Sequence, residues 1–177
     1  LGMLASAPFS EALGASTFAG FDVTVLVHTA MAGPHLINSG NDEQLAEWVP
    51  KMLAGEAIFS IGVSEPDAGS DVAGIRTSAV KDGDGWRING RKMYITNAVY
   101  GGLTIVAART DLANKYGSTM FLVPSGTEGF SVANKLDKHG WRCSDTAELV
   151  LDDVWVSDEQ VLGTVHRGFY ETMKNFQ

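Results

Sequence analysis

The feature that most constrains the fold is a change in the residue pattern after Gly55. From there on, short runs rich in β-branched and aromatic residues alternate with turn-forming residues about every 8 to 12 positions. No stretch between these runs has a helical period over about 10 to 15 residues, so parallel strands joined by helices are not expected. The pattern predicts antiparallel connections in a β-barrel or β-sandwich. The predicted strands are 58–63, 75–81, 86–89, 92–96, 103–109, 119–123, 130–132 and 147–151.

Two groups of residues that tolerate positive φ angles lie between these runs. They are Asp82-Gly83-Asp84-Gly85 and Asn89-Gly90. Tight turns between antiparallel strands need such residues, so both groups are predicted to form hairpin turns.

Before the strands, residues 10–53 have a helical pattern. Asn41 and Gln44 have the spacing of a capping box, in which both side chains bond to free backbone N–H groups at a helix start. Pro50 removes one N–H and clashes with the preceding turn, so we expect the helix to kink or restart there and to end at Gly55. Helical spacing places an apolar stripe on one face, made of Leu45, Trp48, Val49, Met52 and Leu53.

The sequence therefore predicts an α+β fragment in three parts. Residues 1–55 are the end of an all-α domain, residues 56–163 a central antiparallel β-barrel or sandwich domain, and residues 164–177 the start of a second helical domain. The first residue is Leu1 rather than methionine, and the last residues follow a helical pattern from about Gly168. Both ends are expected to be cut from a longer chain.

Composition excludes several classes of protein. With 45% hydrophobic and 19% charged residues, the chain is too apolar to be intrinsically disordered. Its net charge of -8 disfavours a nucleic-acid partner, because phosphates would repel it. Polar residues, among them Asp22 and His28, interrupt the longest apolar stretch, so no transmembrane helix is expected.

The cysteine and histidine residues point to no metal or disulfide chemistry. Cys143 is the one cysteine, which excludes an internal disulfide and favours a reducing compartment. His28, His35 and His166 share no metal-ligand spacing, so no metal site is predicted.

One predicted strand ends in Val63-Ser64-Glu65-Pro66-Asp67-Ala68-Gly69-Ser70-Asp71. Exposed backbone N–H groups and hydroxyls in such a loop suit an anionic or polar ligand. An ordinary Asx or Ser turn has the same composition, so the residues alone leave both interpretations open.

Four segments, in order, resemble the signatures of the acyl-CoA dehydrogenase family. Residues 64–71, SEPDAGSD, are similar to its T/S-E-P-x-A-G-S-D loop, and residues 90–97, GRKMYITN, to its G-x-K-x-(W/Y)-I-T-N stretch. Residues 140–149, GWRCSDTAEL, are similar to G-x-R-x-S-x-T, and residues 151–163 to the strand and turn F-(D/E)-(D/N)-V-x-V-P-x-x-x-L-G. Together they are more specific than any one short motif.

The resemblance implies a flavin enzyme that binds FAD and dehydrogenates an acyl-CoA thioester between its α and β carbons. Such enzymes usually form homotetramers and pass electrons to an electron-transfer flavoprotein. At matching positions, Thr96 is expected to hydrogen-bond the flavin near N5 and Tyr94 to lie against the ring. The implied cofactor-binding residues are Ile61, Val63, Ser64, Gly69, Ser70, Tyr94, Ile95 and Thr96, and Ser70 is also expected to contact the substrate.

The residues themselves carry plainer interpretations. Taken alone, Tyr94 is more typical of an aromatic on a sheet face, and Thr96 is a favourable strand residue that needs no ligand. Glu65 and Asp71 are expected to be structural, either solvated or capping a turn. Arg76, Lys81, Arg87, Arg91 and Lys92 lie close together in the sequence, but strand alternation and nearby aspartates argue against a ligand-directed basic patch.

No catalytic residue is assigned in this chain. In the family, the glutamate that removes the α-proton comes from the C-terminal helical domain, so the chain is expected to lack it and to be inactive alone. Glu171 is expected to lie on the surface.

Two other interpretations stay open: an acyl-CoA oxidase-type flavoenzyme, which passes electrons to oxygen, and a non-catalytic all-β binding or assembly module. A cytoplasmic location is expected, with the mitochondrial matrix as the alternative.

Overall fold

The computed structural model describes residues 3–175, in which helices precede and follow a β-sheet. The helices are α1 Met3–Gly14, α2 Ala19–Leu26, α3 Gly33–Ser39, α4 Asp42–Ala54 and α5 Gly168–Asn175, and a π-helical turn at Val27–Ala32 joins α2 to α3. The strands are β1 Phe59–Gly62, β2 Ser78–Asp82, β3 Gly85–Thr96, β4 Leu103–Arg109, β5 Ser118–Pro124, β6 Phe130–Lys135, β7 Thr146–Ser157 and β8 Val161–Leu162. The predicted change from helices to strands at Gly55 is confirmed, because α4 ends at Ala54 and β1 begins at Phe59.

Helix α4 begins and ends where the sequence predicts. Asn41 Oδ1 accepts a hydrogen bond from Gln44 N at 2.8 Å, Asn41 N donates to Gln44 Oε1 at 3.1 Å, and Gly55 ends the helix with a φ of 73°. The expectation of a restart at Pro50 is wrong, because one helix passes through it. Packing of the apolar face on the sheet outweighs the lost hydrogen bond. That face ends at Met52, since Leu53 is 81% exposed.

All the strands belong to one mixed sheet with the order β6-β7-β3-β2-β4-β5-β8, and β1 pairs with β4 outside this path. The predicted α+β class is confirmed. The predicted barrel is not, because within residues 3–175 the sheet does not close between β6 and β8.

The prediction of purely antiparallel pairing is also wrong. Strand β1 runs parallel to β4, with Phe59 opposite Leu103, and β2 meets β4 in parallel at Ser78 and Arg109. The sequence between β1 and β4 contains the β2–β3 hairpin, which carries the chain across without the helix that parallel strands usually need.

The two predicted hairpin turns have different outcomes. Asp82 pairs with Gly85 across a two-residue turn in which Gly83 has a φ of 62°, so the first turn is confirmed. The second prediction is wrong, because Asn89 and Gly90 lie inside the single strand β3. Gly90 has a φ of 156°, and a Cβ there would lie 2.4 Å from Thr77 Oγ1. Glycine is therefore needed here because Thr77 packs closely against the backbone of β3, and not because the chain turns.

The core lies on both faces of the central strand β4. Ile105 and Ala107 pack in a cluster with α3, α4 and β1, while Val106 and Ala108 pack in a second cluster with β2, β3 and β7. Alternate side chains of a strand point to opposite faces, so β4 is buried on both. In the part of the chain that the structure describes, no helix has the length and apolarity needed to cross a membrane.

Candidate functional site

The candidate site lies where the chain leaves the sheet at the end of β1. Pairing with β4 stops at Gly62 and resumes at Ser78 in β2, and residues 63–77 between them form a loop outside the sheet. Met93 N in β3 donates a hydrogen bond to Ser64 O at 2.9 Å. The SEPDAGSD loop and the GRKMYITN strand are therefore held side by side.

A β-bulge in β3 shapes the site. The pairing of β3 with β7 shifts register between Lys92 and Ile95, and both of these side chains are buried. The extra residue in the bulge turns Tyr94 outward, with a φ of 63° and 68% of the side chain exposed. Positive φ is rare for an aromatic residue, and bulges of this kind often re-aim a side chain at a functional site.

The loop and the bulge line a cleft of about 150 Å³. All the predicted cofactor-binding residues line it except Gly69 and Ser70, which are exposed further along the loop. Val27 and Met31 from the π-helical turn also line it. Sequence reasoning missed these two, because an apolar residue in a helix that lines a cleft has the same pattern as one in a core.

The cleft contains hydrogen-bond donors that the protein itself leaves unused. Within residues 3–175, neither the N–H nor the hydroxyl of Ser64 bonds to another group, and the Thr96 hydroxyl is likewise unpaired. Such donors beside the exposed Tyr94 ring fit a flat heteroaromatic group with acceptor atoms on its edge, as in a flavin.

A second cleft of about 540 Å³ adjoins the first and shares Val27, Met31 and Thr96 with it. The GWRCSDT segment supplies its other side, including Trp141, which is 63% exposed. Lys138 Nζ donates to Thr146 Oγ1 at 2.9 Å in this cleft. Residues of the GWRCSDT segment and Thr96 of the GRKMYITN segment therefore line the same cleft.

A buried ion pair lies beneath the first cleft. Lys92 Nζ donates to Glu65 Oε1 at 2.7 Å, and the side chains are 0% and 6% exposed. The Glu65 carboxylate also accepts hydrogen bonds from Arg76 N at 2.6 Å and Thr77 N at 3.0 Å. Glu65 is thus structural, as expected, although it is neither solvated nor a turn cap. Sequence reasoning missed Lys92, since lysine in a strand is normally exposed.

The environment shifts both pKa values of this pair. Burial lowers the pKa of Lys92 to about 8, against the opposing charge of Glu65. Burial alone would raise the pKa of Glu65, but the charge of Lys92 and the hydrogen bonds from Lys92, Thr77 and Arg76 together lower it.

The other clustered basic residues form no free patch. Each has a carboxylate partner within salt-bridge distance: Arg76 with Asp67, Lys81 with Asp158, Arg87 with Asp82 and Asp153, and Arg91 with Glu148. The sequence-based argument against a ligand-directed basic patch is consistent with these pairs.

Comparison with known proteins places this chain in a family. The family model for the acyl-CoA dehydrogenase middle domain matches residues 60–154, more than half of the chain, and the N-terminal domain model matches residues 1–56. The chain belongs to the acyl-CoA dehydrogenase family. The resemblance predicted from the four motifs is confirmed.

Its relatives in the acyl-CoA dehydrogenase family are considerably longer. The mitochondrial long-chain specific acyl-CoA dehydrogenase of Sus scrofa is 40% identical over 151 residues, which cover 84% of this chain and 35% of that protein. The crystal structure of a probable acyl CoA dehydrogenase from Mycobacterium abscessus is 40% identical with a TM-score of 0.91, over 97% of this chain and 46% of that one. A glutaryl-CoA dehydrogenase from Mycobacterium smegmatis in complex with FADH2 is 38% identical with a TM-score of 0.81, over 89% and 39%. The chain spans about a third of the length of the curated relatives it matches.

Replacing Tyr94 tests whether its exposed ring serves ligand binding or the stability of the fold. We expect Tyr94→Gly to change the free energy of unfolding by no more than about 1 kcal/mol, because relief of positive φ offsets the added chain entropy of glycine. We expect the affinity for FAD to fall about tenfold, because an exposed ring at the cleft is lost. Urea unfolding and an FAD titration measure the two effects. Tyr100→Gly is the control, since Tyr100 is 76% exposed outside the cleft; an equal loss of FAD affinity in both variants contradicts the assignment.

The lowered pKa of Glu65 predicts sensitivity to acid. The ionised carboxylate stabilises the fold above its ordinary pKa of 4.5, and this contribution is lost as the pH falls below that value towards the lower pKa of the folded state. Urea unfolding between pH 7 and pH 3 should show a steeper loss of stability in the wild type than in Glu65→Gln. If the stability of the wild type and of Glu65→Gln falls equally with pH, the result contradicts a stabilising ion pair at Glu65.

Proposed function

We propose that this chain is the flavin-binding part of an enzyme that dehydrogenates acyl-CoA thioesters, with FAD in the cleft between residues 63–64 and 94–96. The observation that carries the proposal is that unused donors of Ser64 and Thr96 line the same cleft as the exposed ring of Tyr94. The FADH2 complex of a relative supports the choice of cofactor.

In this proposal each residue has a distinct task. Ser64 donates its N–H and hydroxyl to the polar edge of the flavin, and Thr96 donates its hydroxyl near N5. Tyr94 covers the ring and excludes water. Gly69 and Ser70 hold the pyrophosphate, and Ser70 also contacts the substrate. When bound, FAD would supply the acceptor for the β-hydrogen that leaves the substrate as hydride, which is chemistry that side chains do not supply.

We propose further that the carboxylate that removes the α-proton comes from outside residues 1–177, so that this chain alone is inactive. None of the residues that line the flavin cleft is a carboxylate. Glu65 is committed to Lys92, and Glu171 accepts a hydrogen bond from Ser39 at 2.9 Å, which links α5 to α3. A general base must reach the proton that it removes, and neither group lies in the cleft.

The wider setting follows from the same proposal. The enzyme passes its electrons to an electron-transfer flavoprotein and assembles as a homotetramer. It acts in the cytoplasm, with the mitochondrial matrix as the alternative that the name of the Sus scrofa relative favours.

Anaerobic titration with acyl-CoA thioesters of different length tests the proposal. A form of the protein that extends over the full length of its relatives should bind FAD, and its visible absorbance should bleach on adding substrate. The chain 1–177 with FAD should not bleach at a comparable rate. Bleaching by this chain overturns the external base. Rapid return of colour in air assigns an oxidase instead, and a full-length protein that takes up no FAD supports a non-catalytic module.

A further inference from the structure

Lys92 joins the buried ion pair directly to the backbone of the flavin cleft. Besides its bond to Glu65, the ammonium donates to Val63 O at 3.2 Å. Glu65 in turn accepts from the backbone of residues 76 and 77. One buried cation therefore fixes the start of the loop against its far end.

The bond to Lys92 sets the direction of the next peptide group. The structure contains no cis peptide bond among residues 3–175, so the Val63 carbonyl and the Ser64 N–H point in opposite directions across one planar unit. The carbonyl points to Lys92, which is 0% exposed. The N–H of Ser64 is therefore directed away from the buried ammonium, and Ser64 is one of the residues that line the cleft.

Stability does not account for a charge at this position. Replacing a buried ion pair by apolar side chains of similar volume is often neutral or stabilising, because burial of two charges is costly. Gly62 of β1, which carries no charge, lies beside the stem of Lys92. Because Lys92 also binds the carbonyl oxygen of Val63, we infer that its role is to fix the orientation of that peptide group.

We propose that Lys92 is a positioning residue for the flavin cleft, which holds the Val63 carbonyl inward so that the Ser64 N–H is presented to the flavin. The proposal rests on the proposed function, because it assumes that this cleft binds FAD. Without the ammonium, the 63–64 peptide is free to rotate and the donor is no longer preorganised.

The test compares two lysine-to-methionine variants in the full-length protein. Lys92→Met keeps most of the stem but removes the donor and the charge, and Lys81→Met removes an exposed lysine of the same sheet that pairs with Asp158. FAD affinity is measured after circular dichroism shows that each variant is folded. We expect Lys92→Met to bind FAD at least tenfold more weakly and Lys81→Met to bind like the wild type. Equal affinity in a folded Lys92→Met overturns the positioning role and leaves the proposed function intact. A wild type that binds no FAD overturns both.

A pH profile of the wild type keeps the proposal testable if Lys92→Met does not fold. Glu65 is the titratable group that faces Lys92; Arg76 is turned to Asp67, and the β1 neighbour Gly62 carries no charge. Because the pKa of Lys92 is lowered to about 8, its proton is lost between pH 7 and pH 9.5, and a neutral amine binds a carbonyl and a carboxylate more weakly. We expect FAD affinity to weaken at least threefold over this range in the wild type. A flat wild-type profile overturns the proposal on its own. Where Lys92→Met does fold, an equal weakening of FAD affinity in that variant overturns it as well.

Discussion

Glu65→Ala is expected to lower the free energy of unfolding by about 3–5 kcal/mol, because it leaves the ammonium of Lys92 buried without a counter-charge. It also removes the acceptor of two backbone N–H groups, those of Arg76 and Thr77. Urea unfolding measures the loss.

The matched control lies two residues away in the same loop. Asp67 also forms an ion pair, with Arg76 at 3.0 Å, but both side chains of this pair are more than half exposed. Asp67→Ala is expected to cost less than about 1 kcal/mol, because water screens exposed pairs. Equal losses from the two variants contradict the view that the buried pair organises the loop.

Gly101→Ala is expected to cost about 3 kcal/mol or more. A Cβ at this position would lie 2.2 Å from Asn97 O and 2.9 Å from Ile58 O, and both atoms belong to the backbone. These contacts fix the turn that directly follows Thr96, so the variant displaces either this turn or the start of β1. Thermal or urea unfolding measures the effect.

Gly69→Ala provides the control for the same substitution. No atom lies within 4 Å of a Cβ built there, so the stability of the protein is expected to change by less than about 0.5 kcal/mol. Any fall in FAD affinity in this variant then reports contact with the ligand and not disorder of the loop. A large loss of stability at Gly69, or none at Gly101, contradicts the packing described.

Local signals of the sequence predicted most of the elements. The capping box at Asn41, the terminator Gly55 and the Asp82–Gly85 turn act through neighbouring residues, so sequence alone reveals them. The motifs, which lie in separate segments, predicted Ser64, Tyr94 and Thr96 as cofactor-binding residues. These three residues line one cleft in the structure.

Features that depend on distant partners were not predicted. Asn89-Gly90 has the composition of a hairpin turn, but pairing of β3 with β7 on both sides of Gly90 keeps it in one strand. The parallel pairing of β1 with β4 and the open sheet depend on which strands meet, which no local pattern encodes. The roles of Lys92, Val27 and Met31 follow from what packs against them.

A crystal structure of the full-length protein with FAD tests the central claim most directly. The isoalloxazine ring is expected in the cleft lined by Val63, Ser64, Tyr94 and Thr96, within hydrogen-bond distance of the Ser64 N–H and the Thr96 hydroxyl. A ring bound elsewhere, or a saturating concentration of FAD that leaves these donors facing solvent, contradicts the account.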